Sequence, residues 1–128
     1  MRATVNWFQI PVLIMERAIS FYSDILSIEF NRIRLLNADI AIFPYDQKSS
    51  GTGGALYCGL DFDPSIHGTI VFLNAGPTLS IVLDKVEEAG GTILKAKTYL
   101  NSKRGYIAHI GDSEGNRVGL HAQYWQLK

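Results

Sequence analysis

The apolar positions of this chain change period in a regular order. Val5-Asn6-Trp7-Phe8-Gln9-Ile10-Pro11-Val12 is rich in β-branched and aromatic residues and predicts a strand, with Pro11 near its end as at an edge or terminus. Apolar residues then recur at Met15, Ala18, Ile19, Tyr22, Ile25 and Leu26, the spacing of one helix face, while Glu16, Arg17, Ser20, Ser23 and Asp24 fill the other. Ile28 to Leu35 and Ala38 to Phe43 predict two strands, with Asn37 between them as the turn residue. Pro44 to Gly54 is polar and glycine-rich and predicts a mobile loop, with Gly51 to Gly54 as a lid. Ala55 to Gly59 predicts a short fourth strand.

The same order returns in the second half. Gly68 to Asn74 predicts a strand, and Leu79, Val82, Leu83, Val86 and Ala89 give the apolar stripe of a helix over Leu79 to Ala89. Pro77 suits the approach to a first helical turn and Gly90-Gly91 a C-terminal cap. Strands follow at Thr92 to Lys97, Gly105 to Gly111 and Arg117 to Ala122, with Asp112-Ser113-Glu114-Gly115-Asn116 as a hairpin turn. Each half reads strand, helix, strand, strand, strand. A slide of 64 residues places Met15 on Leu79, Ala18 on Val82 and Tyr22 on Val86. The fold class is therefore α+β, with two tandem βαβββ modules: the first over about 1–60, a linker over about 61–67, the second over about 68–122, and a tail over 123–128.

Composition narrows the picture. At 128 residues and 47% hydrophobic the chain suits one domain with a core that needs no staples. A formal net charge of zero argues against a nucleic-acid or anionic-membrane partner. Cys58 is the single cysteine, so no internal disulfide forms and a reducing compartment fits. The apolar run Ile10 to Met15 is far shorter than the ~18 residues a spanning helix needs. The expectation is a cytoplasmic protein.

Three segments together carry a family resemblance. Trp7 to Val12, Glu16-Arg17-Ala18 and Phe21-Tyr22 resemble the opening of the vicinal oxygen chelate superfamily, which includes glyoxalase I, bleomycin-resistance proteins and extradiol dioxygenases. Asp112 to His121 resembles the last hairpin of glyoxalase-like members, and Gly90-Gly91 fits the same pattern. The resemblance covers nearly the whole chain. It implies two modules side by side, a curved mixed sheet around a ligand cup, and a homodimer. It leaves the chemistry open, because isomerases, lyases, dioxygenases and drug-sequestering proteins share the scaffold.

Strand alternation places Val5, Trp7 and Gln9 on one face and Asn6, Phe8 and Ile10 on the face that packs on a helix. Metal-dependent relatives take ligands from the first and last strands of each module. The matching positions here are Trp7, Ala55, Val71 and Gly119, which cannot hold a divalent metal. The expectation is a protein without a cofactor, a divalent metal being the alternative. The expected cup is lined by Trp7, Gln9, Tyr57, Thr69, Val71 and His121 and takes a small apolar or aromatic molecule. Gln9 reads as a satisfied structural amide or as a ligand-orienting group. His121 is the candidate general base of an alternative, enzymatic reading, a lyase, isomerase or dioxygenase. A pairing of His121 with His67 is also conceivable from strand parity. A third reading is a non-catalytic partner or regulator using a dimer surface and the Tyr124-Trp125 tail. Cys58 is expected to face the helix as a buried thiol. Lys95, Lys97, Lys103 and Arg104 form a basic cluster, for solubility or for an anionic group of a ligand. Finally, related chains often carry Asp just before the first helix; Ile14 stands there, and a lost cap costs about 1 kcal/mol. Ile14 reads instead as a contact for a partner subunit.

Overall fold

Strand alternation and helical spacing build the same unit twice. The computed structural model describes residues 4–35, 37–46 and 52–126. The first unit is β1 (Trp7–Pro11), α1 (Met15–Leu26), β2 (Asn31–Leu35), β3 (Ala38–Ile42) and β4 (Gly53–Cys58). The second is β5 (Phe72–Asn74), α2 (Leu79–Leu83), β6 (Thr92–Asn101), β7 (Gly105–Gly111) and β8 (Arg117–Ala122). Each unit forms a 4-stranded mixed sheet of one topology, β1-β4-β3-β2 and β5-β8-β7-β6. The first strand of each runs parallel to the last, and the other pairs are antiparallel.

Helix α1 buries Met15, Ala18, Phe21, Tyr22 and Ile25, and Ser27 ends it in the left-handed region at φ 55°. The helix-facing side chains of both sheets meet both helices in one core, in which Ile10, Phe21, Tyr22, Leu56, Leu79, Val86 and Leu120 are buried. This places Phe8 and Ile10 inside, as their parity requires.

The second helix is shorter than the apolar stripe predicts. Regular α geometry stops at Leu83, and turns continue to Gly90. The backbone there mixes bonds three and four residues back, Lys85 N–H to the Val82 carbonyl, Val86 to Leu83 and Ala89 to Lys85. The glycine stop forms as expected: Gly90 takes φ 108° and the Gly91 N–H reaches back to the Val86 carbonyl. Gly53 and Gly54 begin β4 instead of forming a lid, and residues 47–51 of the expected loop, Gly51 among them, lie outside the described residues. Cys58 lies on the helix-facing side, though half-buried.

The missing helix cap is supplied from the other module. No side chain of α1 or its flank caps the helix. Instead the Glu114 carboxylate, from the β7–β8 turn, accepts from the Leu13 N–H at 2.9 Å and the Ile14 N–H at 2.8 Å. It also pairs with Arg17, Nε to Oε2 at 2.7 Å, and accepts from the Ser113 hydroxyl. Burial raises the Glu114 pKa, but hydrogen bonds from Arg17, Ile14, Ser113 and Leu13 outweigh it and hold the carboxyl at about 2. Asp112 in the same turn accepts from the buried Tyr22 hydroxyl at 2.6 Å. Asn116 donates to the Pro11 carbonyl and accepts from the Ser65 N–H. One five-residue turn thus locks α1, the end of β1 and the linker together.

Candidate functional site

The site is framed by the seam between β1 and β5, edge strands of separate sheets that share no hydrogen-bond ladder and line one cavity together. Cross-strand partners share a face, so the register fixes what each sheet presents opposite its helix. In the first module Trp7, Gln9 and Pro11 pair with Gly53, Ala55 and Tyr57. Ile40 and Ile42 continue the row on β3 and Ile33 on β2. This face is apolar, with Ala38, Ile40 and Ala55 buried in a small cluster against Ile33, Ile42 and Tyr57.

The second module presents a different surface. Phe72 pairs with Gly119, Gly119 with His109 and His109 with Lys95, in one row across the sheet. The flanking rows bring Arg117, Asn74 and His121 to the same face. The Arg117 Nε donates to His109 Nδ1 at 3.1 Å. Burial, then the charges of Arg117 and Lys95, push the His109 pKa below the usual imidazole range. An Nδ1 that accepts from Arg117 carries no hydrogen, so the ring hydrogen sits on Nε2. Phe72 lies over Gly119, where no Cβ could fit, and meets the His109 ring edge-on at 5.6 Å. Trp7 over Gly53 is its counterpart in the first module.

This register corrects the expected faces of Thr69 and Val71. Val12 N–H bonds the Tyr57 carbonyl and Ala75 N–H the His121 carbonyl, so Val12 and Ala75 are equivalent. Two residues separate Val12 from α1, but Gly76, Pro77 and Thr78 separate Ala75 from α2. The extra residue is accommodated at Gly76, φ 81°. An ungapped slide therefore shifts β5 by one position and inverts its faces. Ile70, not Val71, is the equivalent of Trp7, and Val71 turns toward the core with Leu73.

The donor set does not fit a divalent metal. The corrected positions are Trp7, Ala55, Ile70 and Gly119, none of which ligates. Among the described residues no three His, Cys, Asp or Glu side chains converge.

Two cavities lie between the modules, and a third lies on the second module alone. The largest, about 650 Å³, is lined by Trp7, Phe8, Leu26, Phe43, Thr69, Val71 and Phe72, among others. That volume suits a small organic molecule. Trp7 and Phe72, both in its lining, remain 41% and 46% exposed, so aromatic surface there is open to solvent. A second, polar cavity of about 170 Å³ is bordered by Gln9, Ser65, His67 and Arg117 and shares Thr69 and Val71 with the first. Gln9 is exposed and has no hydrogen-bond partner among the described residues, so it is not the satisfied structural amide.

The structure thus brings Trp7, Gln9, Thr69 and Val71 to one continuous seam. His121 lines a third cavity with Phe72 and Asn74, apart from His67 in the second. Its Nε2 lies 2.6 Å from the Arg104 carbonyl, to which it donates, leaving Nδ1 as the nitrogen able to accept a proton. Tyr57 borders none of these three cavities and meets Phe62 edge-on at 5.0 Å. Sequence reasoning missed His109 and Arg117. Applying strand alternation to β7 as well as β8 would have placed both on the open face.

No family model matches the sequence, and no curated protein matches it by sequence search. Solved structures do. A glyoxylase/bleomycin resistance protein/dioxygenase domain from Frankia sp. EAN1pec superposes with a TM-score of 0.70 at 14% identity, covering 95% of this chain and 93% of that one. A hypothetical protein from S. aureus gives 0.64 at 20% identity, covering 95% of each chain. Glyoxalase I from Zea mays gives 0.66 at 20% identity over 95% of this chain, which spans 48% of the maize protein's length. These likenesses, all at 20% identity or below, show the fold alone: two tandem βαβββ modules arranged as in these glyoxalase-like structures.

Proposed function

We propose that this chain is a metal-free, small-molecule binding protein on the glyoxalase-like fold, holding an apolar or aromatic ligand in the seam between its modules. The observation that carries this reading is the cleft of about 650 Å³ lined by the partly exposed Trp7 and Phe72. The absence of ligating side chains at Trp7, Ala55, Ile70 and Gly119 supports the metal-free part. Sequestration or carriage suits such a site, because aromatic faces and apolar walls bind without activating a bond. A homodimer accords with the fold and with the exposed Ile14 at the start of α1.

A thermal-shift screen of apolar and aromatic molecules tests the binding. A compound that raises Tm in the wild type and not in Trp7→Ala supports it; indifference to every class overturns it. Metal analysis after dialysis tests the rest, and stoichiometric Zn, Ni, Mn or Fe would overturn the metal-free reading.

A further inference from the structure

The two walls of the cup differ in charge. The described strand residues on the open face of the first module, Trp7, Gln9, Ile40, Ala55 and Tyr57 among them, include no charged side chain. The open face of the second module carries Lys95, His109 and Arg117, and its strands place no carboxylate beside them. Repeat symmetry alone would give two walls alike.

Arg117 is the group at the cavity. It is half-buried, and its Nε is committed to His109 Nδ1. Among the described residues it has no carboxylate partner. Asp63 also borders the polar cavity, but it is exposed on the linker and forms no ion pair with Arg117. A guanidinium resting on a neutral imidazole keeps its terminal nitrogens available, in the planar fork that matches a carboxylate. Gln9, which has no hydrogen-bond partner among the described residues, lines the same cavity. Asn116 does not compete, because its amide is consumed by Pro11, Asp112 and Ser65. The polar cavity joins the apolar cleft through Thr69 and Val71. The rest of the basic cluster read from the sequence lies elsewhere: Lys97 sits over the Trp125 ring at 4.2 Å, and Lys103 and Arg104 occupy the β6–β7 turn.

We infer that the ligand is an amphipathic carboxylate, its apolar or aromatic body in the cleft beside Trp7 and Phe72 and its anionic end on Arg117 and Gln9. This rests on the binding reading above and deepens it. Arg117 fixes which end of the ligand enters the polar cavity, and His109 is a positioning residue that orients the guanidinium.

Matched acids and amides separate the charge from the shape. Calorimetric titrations would compare benzoate with benzamide, 2-naphthoate with 2-naphthamide, and octanoate with octanamide. The expected result is that at least one acid binds about tenfold or more tightly than its amide, as a charge-assisted pair requires. Arg117→Gln should abolish that preference, bringing acid affinity down to that of the amide, while Arg117→Lys should keep part of it. The wild-type ratio needs no variant, so a poorly folding Arg117→Gln does not obscure the outcome. Equal binding of acid and amide overturns the inference and leaves the binding reading intact. Silence from all six probes at millimolar concentration overturns both.

Discussion

Glu114→Gln tests whether a carboxylate from the last hairpin holds the first helix in place. The wild-type carboxylate accepts from the Leu13 and Ile14 N–H groups, from Arg17 twice and from Ser113. Its side chain is fully buried, while that of Arg17 is 45% exposed. Its pKa falls from 4.5 to about 2 on folding. At ~1.4 kcal/mol per unit this depression corresponds to about 3 kcal/mol of stability at neutral pH. Solvent screening at Arg17 lowers the realistic figure to about 2–3 kcal/mol. The amide retains one acceptor oxygen and turns an NH₂ toward N–H donors, so most of that stabilisation should vanish. The sign follows from the direction of the shift. The folded state releases its proton more readily, so the contribution is complete above about pH 4.5 and disappears as pH falls through about 2. Urea denaturation followed by tryptophan fluorescence, at pH 7 and again near pH 2.5, gives both numbers. A loss under about 1 kcal/mol at pH 7 would refute the reasoning. So would a loss of the same size at both pH values.

Tyr22→Phe should cost about 1–2 kcal/mol in the same assay, because it removes the buried 2.6 Å bond to Asp112 while the ring packing remains; a neutral result would show that Asp112 is satisfied by its backbone donors. Gly54→Ala should cost about 1–3 kcal/mol, since its methyl would collide with the Phe8 ring on the core side of β4; unchanged chemical denaturation would contradict the packing. Trp7→Ala should weaken aromatic ligands about tenfold or more while shifting Tm little, because the ring is 41% exposed. Unaltered affinity with intact fold would remove Trp7 from the site.

Much of the fold was legible because period and alternation are local. The apolar spacing of Met15, Ala18, Tyr22 and Ile25 sets which side of α1 is buried wherever the helix lies. Alternation in Trp7, Phe8, Gln9 and Ile10 sorted β1 correctly for the same reason. The site was read less well where one residue mattered. The additional residue around Gly76 inverts the faces of β5, and no local pattern marks an insertion in a three-residue connection. His109 and Arg117 carried no motif, and only the β7–β8 register brings them together.

The capping of α1 shows the division most plainly. Residue type and short spacing suffice for two βαβββ modules, the core faces of α1 and β1, and the Asp112–Asn116 turn. That Glu114 caps a helix 100 residues away was settled by the folded structure. It alone also decided that the seam pairs an apolar wall with a basic one. Both depend on how two units pack, and packing brings together groups whose separation along the chain carries no signal.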